Sequence, residues 1–307
     1  MGREMESGMN RKLETKRLFI YLALTFGLTW IIFFAFILTG HKWDGSNPRL
    51  QSLIELGMLV PMLSNVLTRW ITKEGFALTG KKSMMLGISL KNKKWVYYLF
   101  AMLIPWVCYE AGHALIFLVS PETFDPEYYK VIGLDRKLVW LMPLNGIVTC
   151  SIVSFAGLGE EGGWRGYMMP ELISLLGTGK AVLIGGIIWG LWHAPLTCVG
   201  YNFGTDYPGF PYSGIVVMCV NCILMGIMLT YVTVKSGSVW PAVIMNAVNK
   251  ANPSILALFT NTEKASGILT NPFYSYLLCL IPMAVTAGIC MVLLFRAKPS
   301  EQSLKCE

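Results

Sequence analysis

Charged residues are scarce in this sequence. Asp, Glu, Lys and Arg make up 14% of its 307 residues, whereas a soluble domain carries about a quarter. Hydrophobic residues make up 54% of the chain, and its mean hydropathy is +0.53. This composition excludes an ordinary soluble domain. It predicts a single integral membrane domain over residues 1–307, all-α in class, because helices satisfy their own backbone polar groups in lipid.

The sequence also lacks a recognisable cysteine pattern. Six of its eight cysteines lie inside apolar runs and are expected to pack as small apolar side chains: Cys108, Cys150, Cys219, Cys222, Cys279 and Cys290. No disulfide framework and no zinc knuckle is therefore predicted.

About eight apolar runs have the length of membrane-spanning helices. They cover residues 18–39, 50–70, 95–119, 138–158, 180–201, 214–234, 239–259 and 274–295. The first run has no signal-peptide cleavage site, so we expect it to be retained. Residues 166–179 are too short and broken to cross, and a helix lying in the membrane interface is predicted there from four apolar side chains: Met168, Met169, Leu172 and Leu175.

Lysine and arginine are distributed unevenly between alternate connectors. They concentrate in the basic tail of residues 1–17, in the connector of residues 69–94 and at the C-terminus. The positive-inside rule therefore predicts a multi-pass protein of the cell membrane with both termini in the cytoplasm. The net charge of +7 is explained by this topology and does not call for a nucleic-acid partner.

Ionisable residues follow the fourth apolar run, where residues 159–165 read GEEGGWR. Such groups cost a few kcal/mol or more each at membrane depth and are usually paired and functional. On a helix, Glu161 and Arg165 are i,i+4 neighbours that can neutralise one another, whereas Glu160 lies about 100° away. The spacing thus predicts one structural carboxylate and one that can act as a general base. A pair of interfacial acids capping a membrane helix is the alternative.

The sequence has three histidines. His41 is expected to be solvated in a short loop, and His113, one turn after Glu110, is expected to form a buried polar pair with a structural role. His193 lies among tryptophans just before Pro195 and is a candidate proton carrier or water-positioning group. Taken by itself, the position of His193 favours a hydrogen-bonded core histidine.

Polar residues and a proline interrupt the seventh apolar run: Asn246, Asn249, Lys250, Asn252 and Pro253. Asn246, Asn249 and Lys250 are three and four residues apart and share one helix face. Buried amides must be hydrogen-bonded. They either join helices together or donate into a cavity where negative charge develops.

Three motifs in this order resemble one family: Glu-Glu-x-x-x-Arg at 160–165, Trp-x-x-x-His at 189–193 and a polar helix containing Trp-Pro at 240–250. The family is the CAAX endopeptidase and bacteriocin-processing (CPBP, ABI) family of intramembrane glutamic proteases. The resemblance covers about residues 135–255, which we interpret as the catalytic core. It implies a helical bundle whose fourth to seventh spans enclose a polar cavity open toward the cytoplasm.

The resemblance also implies a metal-independent endopeptidase without cofactors. Its partners would be the lipid bilayer and a membrane-anchored peptide or lipidated protein substrate. The eukaryotic branch cleaves after a prenylated cysteine, and prokaryote-like members are linked to peptide maturation and bacteriocin immunity.

The resemblance assigns a role to each matching residue. Glu160 and His193 would activate a water, and Glu161 and Arg165 would support them. The family pattern His-x-x-x-Asn, which supplies the oxyanion hole, falls on Asn246 and Lys250, with Asn249 one place early. An asparagine amide can still donate to an oxyanion. The alternative is a catalytically weak or inactive membrane binding or immunity protein of the same fold.

Two further alternatives have less support. Zinc could bind one histidine and two carboxylates, but no His-Glu-x-x-His occurs, and a Glu-Glu-His site would use up the base. A carrier would be expected to show repeated halves with broken helices, and no such repeat is seen.

Overall fold

The computed structural model describes residues 2–38, 48–80, 83–88, 90–251 and 254–296. Within these ranges the chain forms helices and turns, with one isolated antiparallel bridge between Phe124 and Thr260. The α-helices are α1 Gly2–Ile37, α2 Pro48–Thr72, α3 Trp95–Val119, α4 Tyr128–Val131, α5 Arg136–Gly163, α6 Met169–Leu176, α7 Thr178–Trp192, α8 Ala194–Thr197, α9 Tyr212–Ser236, α10 Trp240–Ala251 and α11 Pro272–Phe295. The all-α prediction is confirmed.

The long helices form a membrane bundle. In chain order, the eight apolar runs correspond to α1, α2, α3, α5, α7, α9, α10 and α11. Four helical segments are long and apolar enough to cross a membrane: Arg11–Ile37, Trp95–Val119, Tyr212–Ser236 and Pro272–Phe295. The number of crossings and the side on which each terminus lies stay predictions, and His41 lies outside the described residues.

Close helix contacts in the bundle depend on glycines of α7. A Cβ added at Gly186 would lie 2.5 Å from the Cα of Ile223, and one at Gly190 would lie 2.5 Å from the Cα of Cys219. The two backbones can touch because these residues have no side chain. This packing of α7 on α9 fixes the end of α7, where His193 lies. The seven cysteines in the described part of the chain are free thiols.

The predicted seventh span over residues 239–259 is wrong in its extent. Helix α10 ends at Ala251, after 12 residues, and rises only about 18 Å, less than the hydrocarbon core of a bilayer. The sequence explains the end, because a proline follows at position 253, and proline lacks the N–H that a helix needs and disfavours helical backbone in the residue before it. The chain resumes in a 3₁₀ turn, Leu256–Phe259. The Glu110 carboxylate accepts backbone hydrogen bonds there, at 2.6 Å from the nitrogen of Ile255 and 3.1 Å from that of Leu256.

The predicted interfacial helix over residues 166–179 is also corrected. The segment contains part of a π-helical turn, Trp164–Met168, and then α6. Met168, Met169 and Leu172 are buried in the main hydrophobic core and do not face a membrane surface. Gly185 of α7 makes room for them, since a Cβ there would lie 2.7 Å from the terminal carbon of Met169.

Candidate active site

The glutamate motif lies where α5 passes into the π turn. Glu160 and Glu161 occupy the last helical turn of α5, Arg165 lies in the π turn, and all three are at most 2% exposed. Helix α2 packs directly on this segment: a Cβ at Gly159 would lie 2.6 Å from the carbonyl oxygen of Met58. Such burial does not fit the alternative of interfacial acids that cap a membrane helix.

Glu161 and Arg165 form the ion pair that their spacing predicts. The Nη1 atom of Arg165 lies 3.1 Å from Oε2 and 3.3 Å from Oε1 of Glu161. The guanidinium carbon also lies 4.4 Å from the ring centre of Trp189 on α7, which is cation–π geometry. The pair therefore ties the motif to α7.

The polar face of α10 meets both glutamates. The amide nitrogen of Asn246 lies 2.6 Å from Oε1 of Glu161 and 3.4 Å from Oε2 of Glu160. The Lys250 ammonium lies 2.6 Å from Oε1 of Glu160. Two carboxylates are thus matched by two cations and one amide, which offsets part of the desolvation cost of buried charge.

His193 caps the C-terminus of α7. Its Nδ1 atom lies 2.9 Å from the carbonyl oxygen of Trp189. Because a carbonyl only accepts, Nδ1 carries the hydrogen, and Nε2 of the neutral ring is the nitrogen that can take up a proton. The ring is close enough to interact electrostatically with the Glu160 carboxylate.

Asn249 and His113, two polar residues singled out in the sequence, form hydrogen bonds outside the glutamate cluster. Asn249 accepts hydrogen bonds from the Tyr109 hydroxyl of α3, at 3.2 Å on both its side-chain and backbone oxygens. His113 contacts the Thr260 hydroxyl, at 3.1 Å, while Glu110 binds the turn after α10. Both His113 and Glu110 thus hold the segment that follows α10, and the two side chains also interact electrostatically with each other.

Sequence reasoning missed several neighbours of the motif. The Met58 sulfur lies 3.4 Å from the Lys250 ammonium, and the Asn65 amide donates to the carbonyl of Gly162 at 2.7 Å. Tyr201 interacts electrostatically with Glu160. An asparagine inside an apolar run was a signal that could have drawn attention to Asn65, whereas nothing in the sequence singles out Met58.

The two carboxylates already bind two protein cations, Arg165 and Lys250, and the amide of Asn246. Among the described residues, no group of three His, Cys, Asp or Glu side chains is placed to hold a metal ion. A zinc ion would have to compete with Arg165 and Lys250 for the same carboxylates. The donor set therefore does not fit the zinc alternative.

Comparison with known proteins agrees with the motifs. Residues 139–251 match the family of type II CAAX prenyl endopeptidases described as Rce1-like. This part of the chain is therefore similar to the CAAX protease family. The chain is also similar to CAAX prenyl protease 2 of Methanococcus maripaludis, with 34% identity over 109 residues. That alignment covers 34% of this chain and 39% of the relative.

The segment that matches the family contains the whole polar cluster. Glu160, Glu161, Arg165, His193, Asn246 and Lys250 all lie within residues 139–251. Helices α1, α2, α3 and α11 lie outside that segment, and α2 and α3 contribute contacts to the cluster and to α10.

Proposed function

We propose that this chain is a metal-independent intramembrane endopeptidase that hydrolyses a membrane-associated peptide or lipidated protein. The observation that carries the proposal is the convergence of the three family motifs. Glu160 and Glu161 of α5 bind Asn246 and Lys250 of α10, and His193 of α7 lies within electrostatic reach. The membrane would be the cell membrane, with both termini in the cytoplasm.

In this proposal Glu160 and the Nε2 atom of His193 activate a water molecule. The water oxygen attacks the carbonyl carbon of the scissile bond while a proton of the water passes to the general base, the Glu160 carboxylate. The same proton then goes to the leaving nitrogen as the C–N bond breaks, so the base is restored at the end of the cycle. A helical substrate must first unwind around the bond, because its carbonyls are otherwise hydrogen-bonded.

In this proposal, Lys250 and Asn246 of α10 stabilise the oxyanion. Lys250 donates one N–H to Glu160 and one toward the Met58 sulfur, and it keeps the third for a developing negative charge. Its side chain is 28% exposed against 2% for Glu160, so an entering substrate reaches Lys250 first. Asn246 directs its amide at both glutamates, and its 3.4 Å contact with Glu160 is the weaker one and the one to exchange for the oxyanion.

Asn246→Ala is expected to lower kcat by about 10²–10³-fold, the usual effect of losing one oxyanion donor. KM should change little, because the interaction strengthens only as charge develops. Asn246→His, which restores the family residue, should keep or raise activity. Turnover per folded molecule is the measurement. Lower thermal stability with unchanged turnover in both variants would show that Asn246 only joins helices.

Chelators are expected to leave the activity intact. EDTA or phenanthroline should not change the rate of peptide cleavage, and metal analysis of the purified protein should find no stoichiometric zinc. Activity that is lost on chelation and restored by zinc would replace this scheme by metal-assisted hydrolysis.

The second candidate function is a binding or immunity protein of the same fold without turnover. Its support is the contact between the Lys250 ammonium and Oε1 of Glu160 at 2.6 Å, since a base held by a cation is not free to take a proton. Lysine stands here where the family pattern has asparagine.

Lys250→Asn distinguishes the two functions, because it restores the family residue and removes the cation from Glu160. If Lys250 blocks the base, the variant should cleave peptides that the wild type leaves intact. If Lys250 takes part in catalysis, the wild type should be active and the variant slower. The assay is cleavage of a membrane peptide library reconstituted with the protein in lipid vesicles, with the Glu160→Ala variant as the inactive control.

A further inference from the structure

A buried polar chain on α2 reaches the glutamate motif from outside the segment that matches the family. Asn65 is fully buried, and its amide nitrogen donates to the carbonyl oxygen of Gly162 at 2.7 Å. Gly162 directly follows Glu161 in the sequence. Asn65 is thus bonded to the backbone of the turn that carries both glutamates.

Arg69 fixes which way the Asn65 amide faces. One turn further along α2, the Nε atom of Arg69 donates to Oδ1 of Asn65 at 2.7 Å. Because Nε is a donor, it requires the carbonyl end of the amide, and the NH₂ end must face Gly162. Arg69 is itself anchored by its Nη2 atom, which donates to the carbonyl of Ser83 at 2.8 Å. The amide therefore has a single hydrogen-bonded orientation.

The hydrogen bond to Gly162 lies where the backbone hydrogen-bond pattern changes from α-helical to π-helical. At the end of the π turn, the N–H of Met169 bonds to the carbonyl of Trp164, five residues back, and π turns are rare and frequent at functional sites. Glycines allow α2 to come this close, since a Cβ at Gly162 would lie 2.5 Å from the sulfur of Met62 and one at Gly163 would collide with Pro61. The two glycines therefore permit the close contact between α2 and the end of α5.

We propose that Asn65, oriented by Arg69, is a positioning residue that holds Glu160 and Glu161 in register with α10 and His193. Its effect on rate rests on the proposed function, because it acts through the glutamates and touches no substrate. Displacing a catalytic group by about 1 Å can cost about 10²-fold in rate. An anchor that serves folding alone would lower stability and leave the chemistry of folded molecules unchanged.

Asn65→Asp is the most selective variant. It keeps the size of the side chain and its contact with Arg69, but it loses the N–H donated to Gly162. We expect kcat to fall about 10²-fold with KM within a few-fold, and the pH–rate profile to move because the surroundings of the glutamates change. Asn65→Leu should change kcat, KM and the pH–rate profile in the same way, because leucine also lacks the donor to Gly162. Ser64→Ala is the matched control, since Ser64 is equally buried on α2 and its hydroxyl has no hydrogen-bond partner among the described residues.

Hydrogen exchange gives a readout that does not need activity. In the full-length protein in lipid, the backbone amides of residues 159–168 should exchange faster in both Asn65 variants than in Ser64→Ala. Should the wild type cleave no peptide, the proposed function fails, and exchange still decides whether Asn65 holds the motif. The positioning role is overturned if exchange in this segment is unchanged, or if an active enzyme keeps the kcat and pH profile of the control.

Discussion

Replacing Glu160 by glutamine is expected to lower the turnover by up to about 10⁴-fold, the upper range for loss of a general base. Glutamine keeps the size of the side chain and can still accept a hydrogen bond from Lys250, but it cannot take a proton from water. The fold should survive, because Lys250 is partly exposed and water can solvate its charge. The measurement is kcat on a cleaved library peptide, beside a melting curve of the same preparation.

Glu110→Gln is a suitable control for this substitution. Glu110 is also a glutamate on an apolar helix. It accepts hydrogen bonds from Trp106 and from the backbone after α10, and none of these donors belongs to the candidate site. Its variant should keep the rate within a few-fold. If Glu160→Gln retained near-normal turnover, Glu160 would not be the base and the water-activation scheme would be wrong.

The sequence predicted those contacts of the site that depend on one helix alone. The Glu161–Arg165 pair follows from i,i+4 spacing, and the shared face of Asn246 and Lys250 follows from the same rule. Which carboxylate each of them binds could not be read from the sequence, because that depends on how α10 lies against α5. The packing of α5 on α2 could not be read from the sequence either: Gly159 and Gly163 permit it, but their contacts Met58 and Pro61 on α2 lie far away in the sequence.

Two errors of the sequence analysis have a common physical origin. The apolar face of residues 166–179 suggests a helix on a membrane surface, and the apolar run of residues 239–259 suggests one span. Hydropathy alone does not distinguish lipid from a protein interior, since both bury the same side chains. Met168 and Met169 pack under Gly185, and α10 stops short of a full span, which brings Lys250 beside Glu160.

Replacing Glu161 by glutamine is expected to destabilise the fold rather than the transition state. Glu161 is fully buried, and its carboxylate binds the buried Arg165 at 3.1 Å. Glutamine carries no charge to balance the guanidinium, and breaking a buried pair in this way costs about 3–5 kcal/mol. Cation–π contact with Trp189 offsets part of that cost, because it is worth up to about 2 kcal/mol when desolvated.

The double variant Glu161→Gln, Arg165→Met tests this explanation of the loss. Removing the second charge eliminates the unpaired cation, so the double variant should be more stable than Glu161→Gln alone, and the coupling between the two sites should be strongly non-additive. The measurement is the unfolding free energy of the reconstituted protein, with turnover per folded molecule recorded for each variant. If Glu161→Gln kept full stability and lost turnover as completely as Glu160→Gln, both glutamates would act in the chemistry and the division of roles between them would be wrong.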